Sequence, residues 1–143
     1  MKLSILMPIY NEINTTLSVM EQIGSLPIEK EVILVDDFST DGTRELLKNK
    51  FVDVKANVKV FYHKRNLGKG AAVKTALEYA NGDYSIIQDA DLEYNPKDYL
   101  KLIDCAERNN ADVVYGSRFY KTWRATSLPH FLVNKLLTVL TNI

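Results

Sequence analysis

Cysteine is almost missing. Cys105 is the single one in 143 residues, so the chain can close no internal disulfide and suits a reducing interior such as the cytosol. An excess of either charge is missing too. The 18 basic and 18 acidic residues cancel, which argues against the basic footprint of a nucleic-acid-binding protein. Long hydrophobic runs are also lacking, and no segment approaches the roughly 18 apolar residues of a membrane span. The opening MKLSILMPIY is broken by Pro8 and has no small-residue cleavage site, so it does not read as a signal peptide. Internal repeats, low-complexity tracts and Pro- or Ser-rich linkers are absent, and the length is that of one domain. Cys105 itself falls in a helical pattern and is read as a small apolar core residue.

What is present is an alternation of β-type and helical patterns. The strand candidates are LSILMPI (3–9), EVILVDD (31–37), VKVFYHK (58–64), DYSIIQD (83–89) and ADVVYGS (111–117). Several are apolar almost throughout, as parallel strands covered on both faces should be. Helical stripes lie between them: Leu17, Met20 and Ile23; Leu46 and Leu47; Ala72, Val73, Ala76, Leu77 and Ala80; Tyr99, Leu102, Ile103 and Ala106. Pro96 fits the first turn of the last of these, with Asn95 as its cap. The order βαβαβαβαβ implies an α/β fold, a mostly parallel sheet flanked by helices with right-handed crossovers. Residues 1–126 are read as this domain. Residues 127–143 are read as a separate amphipathic helix with Leu128, Phe131, Leu132, Leu136, Val139, Leu140 and Ile143 on one face. It would pack on its own sheet, meet a partner or lie against a membrane.

Nearly every unusual polar stretch follows a strand: PIYNE, DDFSTDGT, HKRNLGKG, QDADLE and GSR. In an open parallel sheet, ligands bind beyond the carboxyl ends of the strands. On an extended segment, residues two apart point to one side, so Asp89, Asp91 and, further along, Glu93 can converge. Like charges about 4 Å apart repel by about 1 kcal/mol in water and about 4 at a half-buried site. Such a cluster calls for a cation, and oxygen ligands alone suit Mg²⁺ or Mn²⁺. The structural alternative is a cap or solvated turn, a role Asn95 already fills for the next helix.

Asp36 and Asp37 end a strand, where a carboxylate can accept from ribose hydroxyls or a base N–H; one of Ser39, Thr40 and Asp41 caps the following helix. In NLGKGAA, glycines flank Lys69 ahead of a helix, an arrangement that favours phosphate. It is neither a Walker loop nor a dinucleotide fingerprint, which fails at Val73. His63 and His130 read as structural, and Trp123 with Arg124 lies in a loop over 118–127.

MPIYNE, VDDFSTDGT, NLGKGAA, QDADLEYNP and VVYGSRF, in this order, resemble the inverting glycosyltransferase family two, with its nucleotide-sugar-binding GT-A fold. Within it they look most like the polyprenyl-phosphate branch, the dolichyl-phosphate mannosyltransferase-like enzymes. The resemblance implies transfer of a sugar from a UDP- or GDP-sugar to an acceptor such as a polyprenyl phosphate. It implies nucleotide contacts from Pro8, Tyr10, Asn11, Glu12, Asp36, Asp37, Lys69, Asp89 and Ala90. It implies a divalent metal, Mg²⁺ or Mn²⁺, on Asp89 and Asp91, with Glu93 in reach. Arg118 resembles the arginine that meets the acceptor phosphate, with Arg124 or His130 beside it; Asp89, Asp91 and Arg118 would then be the catalytic set. Phe38 departs from the more usual Gly of its turn.

The resemblance also implies a cytoplasmic chain, peripheral at the cytoplasmic face of the membrane through the 127–143 helix. Family members continue past that helix, so the chain is expected to hold the donor half of a site and lack part of the acceptor half. The alternative in another class is a truncated module that holds a sugar nucleotide without turning it over. A receiver-type signalling domain fits less well, because Ile9 and Tyr10 stand where its acid pair would be.

Overall fold

The computed structural model describes residues 1–51 and 57–116. The strands are β1 (Leu3–Ile9), β2 (Lys30–Asp36), β3 (Val58–Tyr62) and β4 (Tyr84–Ile87), and the helices are α1 (Thr16–Gly24), α2 (Thr43–Lys50), α3 (Lys69–Glu78) and α4 (Tyr99–Asn109). The sheet runs β3-β2-β1-β4, and each neighbouring pair is parallel. β1 is buried along its whole length. Leu6, Ile33 and Val35 meet Ala72 and Ala76 of α3 on one face, while Ile5, Met7 and Leu34, alternating with them, are equally buried. Each of these large side chains contributes about 1.5–3 kcal/mol by leaving water.

The helices form where expected, with three shifts of face. α1 buries Thr16, Val19 and Ile23, while Leu17 is 36% exposed. Its start is fixed by Thr16 Oγ1, which donates to the Glu12 carbonyl at 2.6 Å. The buried set thus runs i, i+3, i+7 from Thr16 instead of through Leu17 and Met20. In α3 only the alanines at 72 and 76 are buried, and Leu77 is 54% exposed. A seam of small side chains narrows the buried stripe. Cys105 is exposed, not in the core, because it flanks the α4 stripe on which Tyr99 and Ala106 are buried.

Asn95 caps a 3-10 turn, Pro96–Asp98, that leads into α4; its side chain accepts from the Lys97 N–H at 3.0 Å. α4 ends with Asn110 at φ 46° and the Ala111 N–H on the Ala106 carbonyl at 3.0 Å, a left-handed helix stop.

The chain divides into two compact units, Met1–Leu100 and Lys101–Ile143. The sheet and every site residue described below belong to the first. In the second, residues 111–116 form no strand, contrary to the β-type pattern of ADVVYGS. Val113 and Tyr115 are 63% and 91% exposed. β-type side chains make a strand only when a ladder and a packed face receive them. The 127–143 helix, Arg118, Trp123, Arg124 and His130 fall outside the described residues. Among the described residues, no helix is long and apolar enough to cross a membrane.

Candidate functional site

Strand order places the site. From β1 the chain winds outward through β2 and β3, then returns to add β4 on the other side of β1. The connections therefore part between β1 and β4, the switch point at which open parallel sheets open a crevice. A cavity of about 420 Å³ lies there, lined by Pro8 and Ile9 at the end of β1, Tyr10 and Glu12 after it, Asp37 after β2, Asn66, Gly68, Lys69 and Ala72 around the start of α3, and Asp89, Ala90 and Asp91 after β4.

Lys69 meets Asp89 across this cavity, its Nζ 2.6 Å from Oδ1 and 2.8 Å from Oδ2. Asp91 Oδ1 accepts from the Glu93 N–H at 3.1 Å. Leu92 has φ 64°, so this loop turns instead of running extended. That is why the expected three-acid seat does not form. Glu93 is outside the cavity lining, and among the described residues no three acid, His or Cys side chains gather as metal ligands. What remains is a pair of carboxylates, Asp89 and Asp91, at the cavity wall. This donor set fits Mg²⁺ or Mn²⁺, which take one or two carboxylates and complete their shell with water and phosphate oxygens.

The start of α3 forms the opposite wall. Its cap is Gly68, φ 87°, which has no side chain to bond the N–H groups of the first turn. The first N–H groups of α3 and the ammonium of Lys69 thus lie on one side, an arrangement suited to phosphate.

Asp37 holds this turn. Its Oδ1 accepts from the Leu67 N–H at 2.9 Å and its Oδ2 from the Gly68 N–H at 2.7 Å. His63 Nδ1 lies 2.7 Å from Oδ1 and its Nε2 3.0 Å from Thr75 Oγ1. Burial pushes the Asp37 carboxyl up, but the Leu67, His63 and Gly68 donors outweigh it and hold it below the usual range. An ionised carboxylate can only accept, so Nδ1 of His63 carries the hydrogen.

Asp36 sits elsewhere. It is fully buried, its Oδ1 accepts from the Ser39 N–H at 3.2 Å, and its Oδ2 lies 3.3 Å from Arg44 Nη1. Arg44 donates to the His63 carbonyl at 3.0 Å and lies over the rings of Phe38 and Tyr62. Asp36 therefore faces Arg44 as an ion pair, its buried Oδ2 accepting no hydrogen bond, and takes no part in the cavity lining. Asn11 also stays out of the lining: its Oδ1 accepts from the Thr40 N–H at 2.8 Å and its N–H donates to Ser39 Oγ at 2.9 Å. These bonds tie the loops after β1 and β2 together.

Asp41 completes that tie. Its Oδ1 accepts from the Thr43 N–H and hydroxyl at 3.0 and 2.6 Å, and its Oδ2 from the Ile13 N–H at 3.2 Å. Phe38 takes φ 67°, the left-handed conformation in which a glycine would be unstrained.

Gln88 escaped the sequence reading. It is fully buried, receives the Tyr99 hydroxyl on Oε1 and donates from Nε2 to the Asp89 carbonyl at 2.8 Å. A polar residue closing an apolar strand just before the acids was the available signal. Buried, it must find partners, and those partners fix the acidic loop.

A parallel sheet with acids after β4 and a glycine-lysine turn ahead of α3, around a switch-point cavity, is the α/β architecture of the GT-A glycosyltransferases. The Glycosyl transferase family 2 model matches residues 4–138, and the chain belongs to that family. It is 32% identical over 133 residues to a dolichol-phosphate mannosyltransferase of Pyrococcus furiosus, covering 92% of this chain and 37% of that one. The structure of S. aureus TarS 1-349 in complex with UDP-GlcNAc is similar at a TM-score of 0.67 and 25% identity, over 85% of this chain and 37% of TarS 1-349. Mannosyltransferase PcManGT from Pyrobaculum calidifontis, in complex with GDP-Man and Mn²⁺, is similar at a TM-score of 0.56 and 27% identity, over 68% of this chain and 30% of that one. The chain thus spans a little over a third of the curated relative's length.

Proposed function

We propose that the cavity binds a nucleoside-diphosphate sugar, UDP- or GDP-linked, together with Mg²⁺ or Mn²⁺, and serves inverting transfer of the sugar to a polyprenyl phosphate. One observation carries this reading: Asp89 and Asp91 share a single switch-point cavity with Lys69 and the glycine-capped start of α3. The ligands named for the TarS and PcManGT structures support it, as does the mannosyltransferase relative.

A divalent ion on Asp89 and Asp91 would supply Lewis-acid neutralisation of the charge that develops on the departing diphosphate. The first N–H groups of α3 add fixed positive potential to that same charge, and the Lys69 ammonium adds its own. Pro8, Tyr10 and Glu12 form the wall for the nucleoside, and Asp37 keeps the Gly68-Lys69 turn in place. A phosphate monoester acceptor has its second pKa near about 6, so it attacks as an anion and needs no general base. Arg118, with Arg124 or His130, is assigned to that phosphate by family resemblance alone. We place the domain on the cytoplasmic side, at the membrane surface where such an acceptor is found.

Calorimetric titration of UDP, GDP and their sugar conjugates, with Mn²⁺ and with chelator, tests this. Metal-dependent binding of one nucleotide is expected in the wild type and its loss in Asp91→Ala. Turnover is then read on a polyprenyl phosphate; binding without turnover would leave the donor-site part alone standing. No nucleotide binding under either condition would overturn the whole reading.

A further inference from the structure

The Lys69–Asp89 pair carries a consequence for how ligands enter the cavity. Lys69 Nζ straddles the Asp89 carboxylate at 2.6 and 2.8 Å, the position a divalent cation on that carboxylate would need. A monovalent and a divalent cation cannot share it closely without strong repulsion. The Lys69 side chain is 60% exposed, so packing does not fix it there. Its backbone, by contrast, follows a turn pinned by the Leu67 and Gly68 bonds to Asp37. The ammonium can swing while its root stays put. As the first residue of α3, Lys69 also roots beside the N–H groups that suit phosphate.

We propose that Lys69 is an exchangeable counter-ion: it competes with the divalent cation for Asp89 and is handed to the diphosphate when nucleotide arrives. This rests on the donor-site reading above and deepens it. Metal alone must displace Lys69, and nucleotide alone must draw Lys69 off its carboxylate. Together, the cation takes Asp89 and the diphosphate takes Lys69, so each ligand relieves the cost met by the other. Cation and nucleotide therefore bind cooperatively, beyond their direct contact with each other. An ion pair this exposed is weak, and the contribution is a factor of about two to five.

The test is titration of Mn²⁺, followed by electron paramagnetic resonance of the free ion, with and without the nucleoside diphosphate that the wild type binds. The full chain is used as wild type, Lys69→Met, Lys69→Arg and Lys64→Met, with circular dichroism melting to confirm folding. Lys69→Met is expected to bind Mn²⁺ alone about two- to fivefold more tightly than wild type. The gain in Mn²⁺ affinity that nucleotide brings should shrink by a similar factor. Lys69→Arg should resemble wild type. Lys64→Met removes the same charge from the neighbouring loop and should leave Mn²⁺ affinity alone. Unchanged or weaker Mn²⁺ binding in Lys69→Met overturns the exchange, as does equal tightening in Lys64→Met. Metal-dependent nucleotide binding in the wild type beside either result would overturn the exchange and spare the donor site. Its loss would overturn both.

Discussion

Asp37 shows how a residue at a ligand rim can serve the rim more than the ligand. Both of its oxygens are taken by backbone donors of the turn ahead of Lys69, and His63 adds another bond. Asn in its place keeps one acceptor and turns an NH₂ group toward a backbone N–H. A buried donor then meets a donor. Asp37→Asn is expected to destabilise the fold by about 1–3 kcal/mol, read as a lower midpoint in urea, and to weaken nucleotide binding through the loosened turn. If Asp37 served only to read ribose or base, binding would fall with the urea midpoint unchanged. The sequence pointed to Asp36 and Asp37 together as the acids to explain. Only the partners separate them, since Arg44 claims the first and the glycine turn claims the second.

At the scale of elements, β1 and β4 are locked where both begin. The Asp83 N–H donates to the Lys2 carbonyl at 2.8 Å, the Lys2 N–H to Asp83 Oδ2 at 2.7 Å, and the Gly82 N–H to Ser4 Oγ at 2.8 Å. A Cβ at Gly82 would lie 2.7 Å from Lys2 O, Ser4 N and Ser4 Oγ. Much of that is backbone and cannot yield. Gly82→Ala is expected to cost about 1–3 kcal/mol, seen as a lower melting temperature. Because β4 carries the acids, metal-dependent nucleotide binding should weaken as well. Wild-type stability in this variant would show that the entry to β4 is slack.

Elements of this kind were largely legible. β1 was read residue for residue, because a buried parallel strand is apolar almost throughout, Ser4 being its one polar residue. The rim loops after β1 to β4 were legible for the same topological reason. What could not be read was whatever a distant partner decides. Whether 111–116 becomes a strand depends on a ladder, and which face α1 buries depends on the elements packed against it. The convergence of Asp89, Asp91 and Glu93 failed because it assumed extended backbone where Leu92 turns.

At the scale of the whole Met1–Leu100 unit, the candidate site lies at one end of the sheet and a charge knot at the other. Glu31, at the start of β2, is 2% exposed. It accepts from Ser4 Oγ at 2.7 Å and from the Asn81 N–H, with Lys2 and Lys59 each 3.2 Å from Oε2. The knot thus joins β1, β2, β3 and the segment entering β4. Burial alone would raise the Glu31 carboxyl, but Ser4, Asn81, Lys59 and Lys2 together pull it down to about 2. Asp37 and Asp41 are lowered as well, their donors outweighing burial.

A carboxyl whose folded pKa lies below its unfolded value stabilises the fold above the unfolded pKa. That stabilisation is lost as pH falls through the folded one. For Glu31 the window runs from about pH 4.5 down to about 2, and the loss amounts to about 3 kcal/mol. Wild-type stability, measured by urea unfolding at fixed temperature, should therefore be flat above this window and fall steeply within it. Glu31→Gln keeps an acceptor for Ser4 and Asn81 but gives up the charge. It should start lower at pH 7, lose less on acidification and approach the wild type near pH 2. Two parallel curves, offset equally at both ends, would mean that the loss in Glu31→Gln comes from packing and that the charge is not what joins the strands.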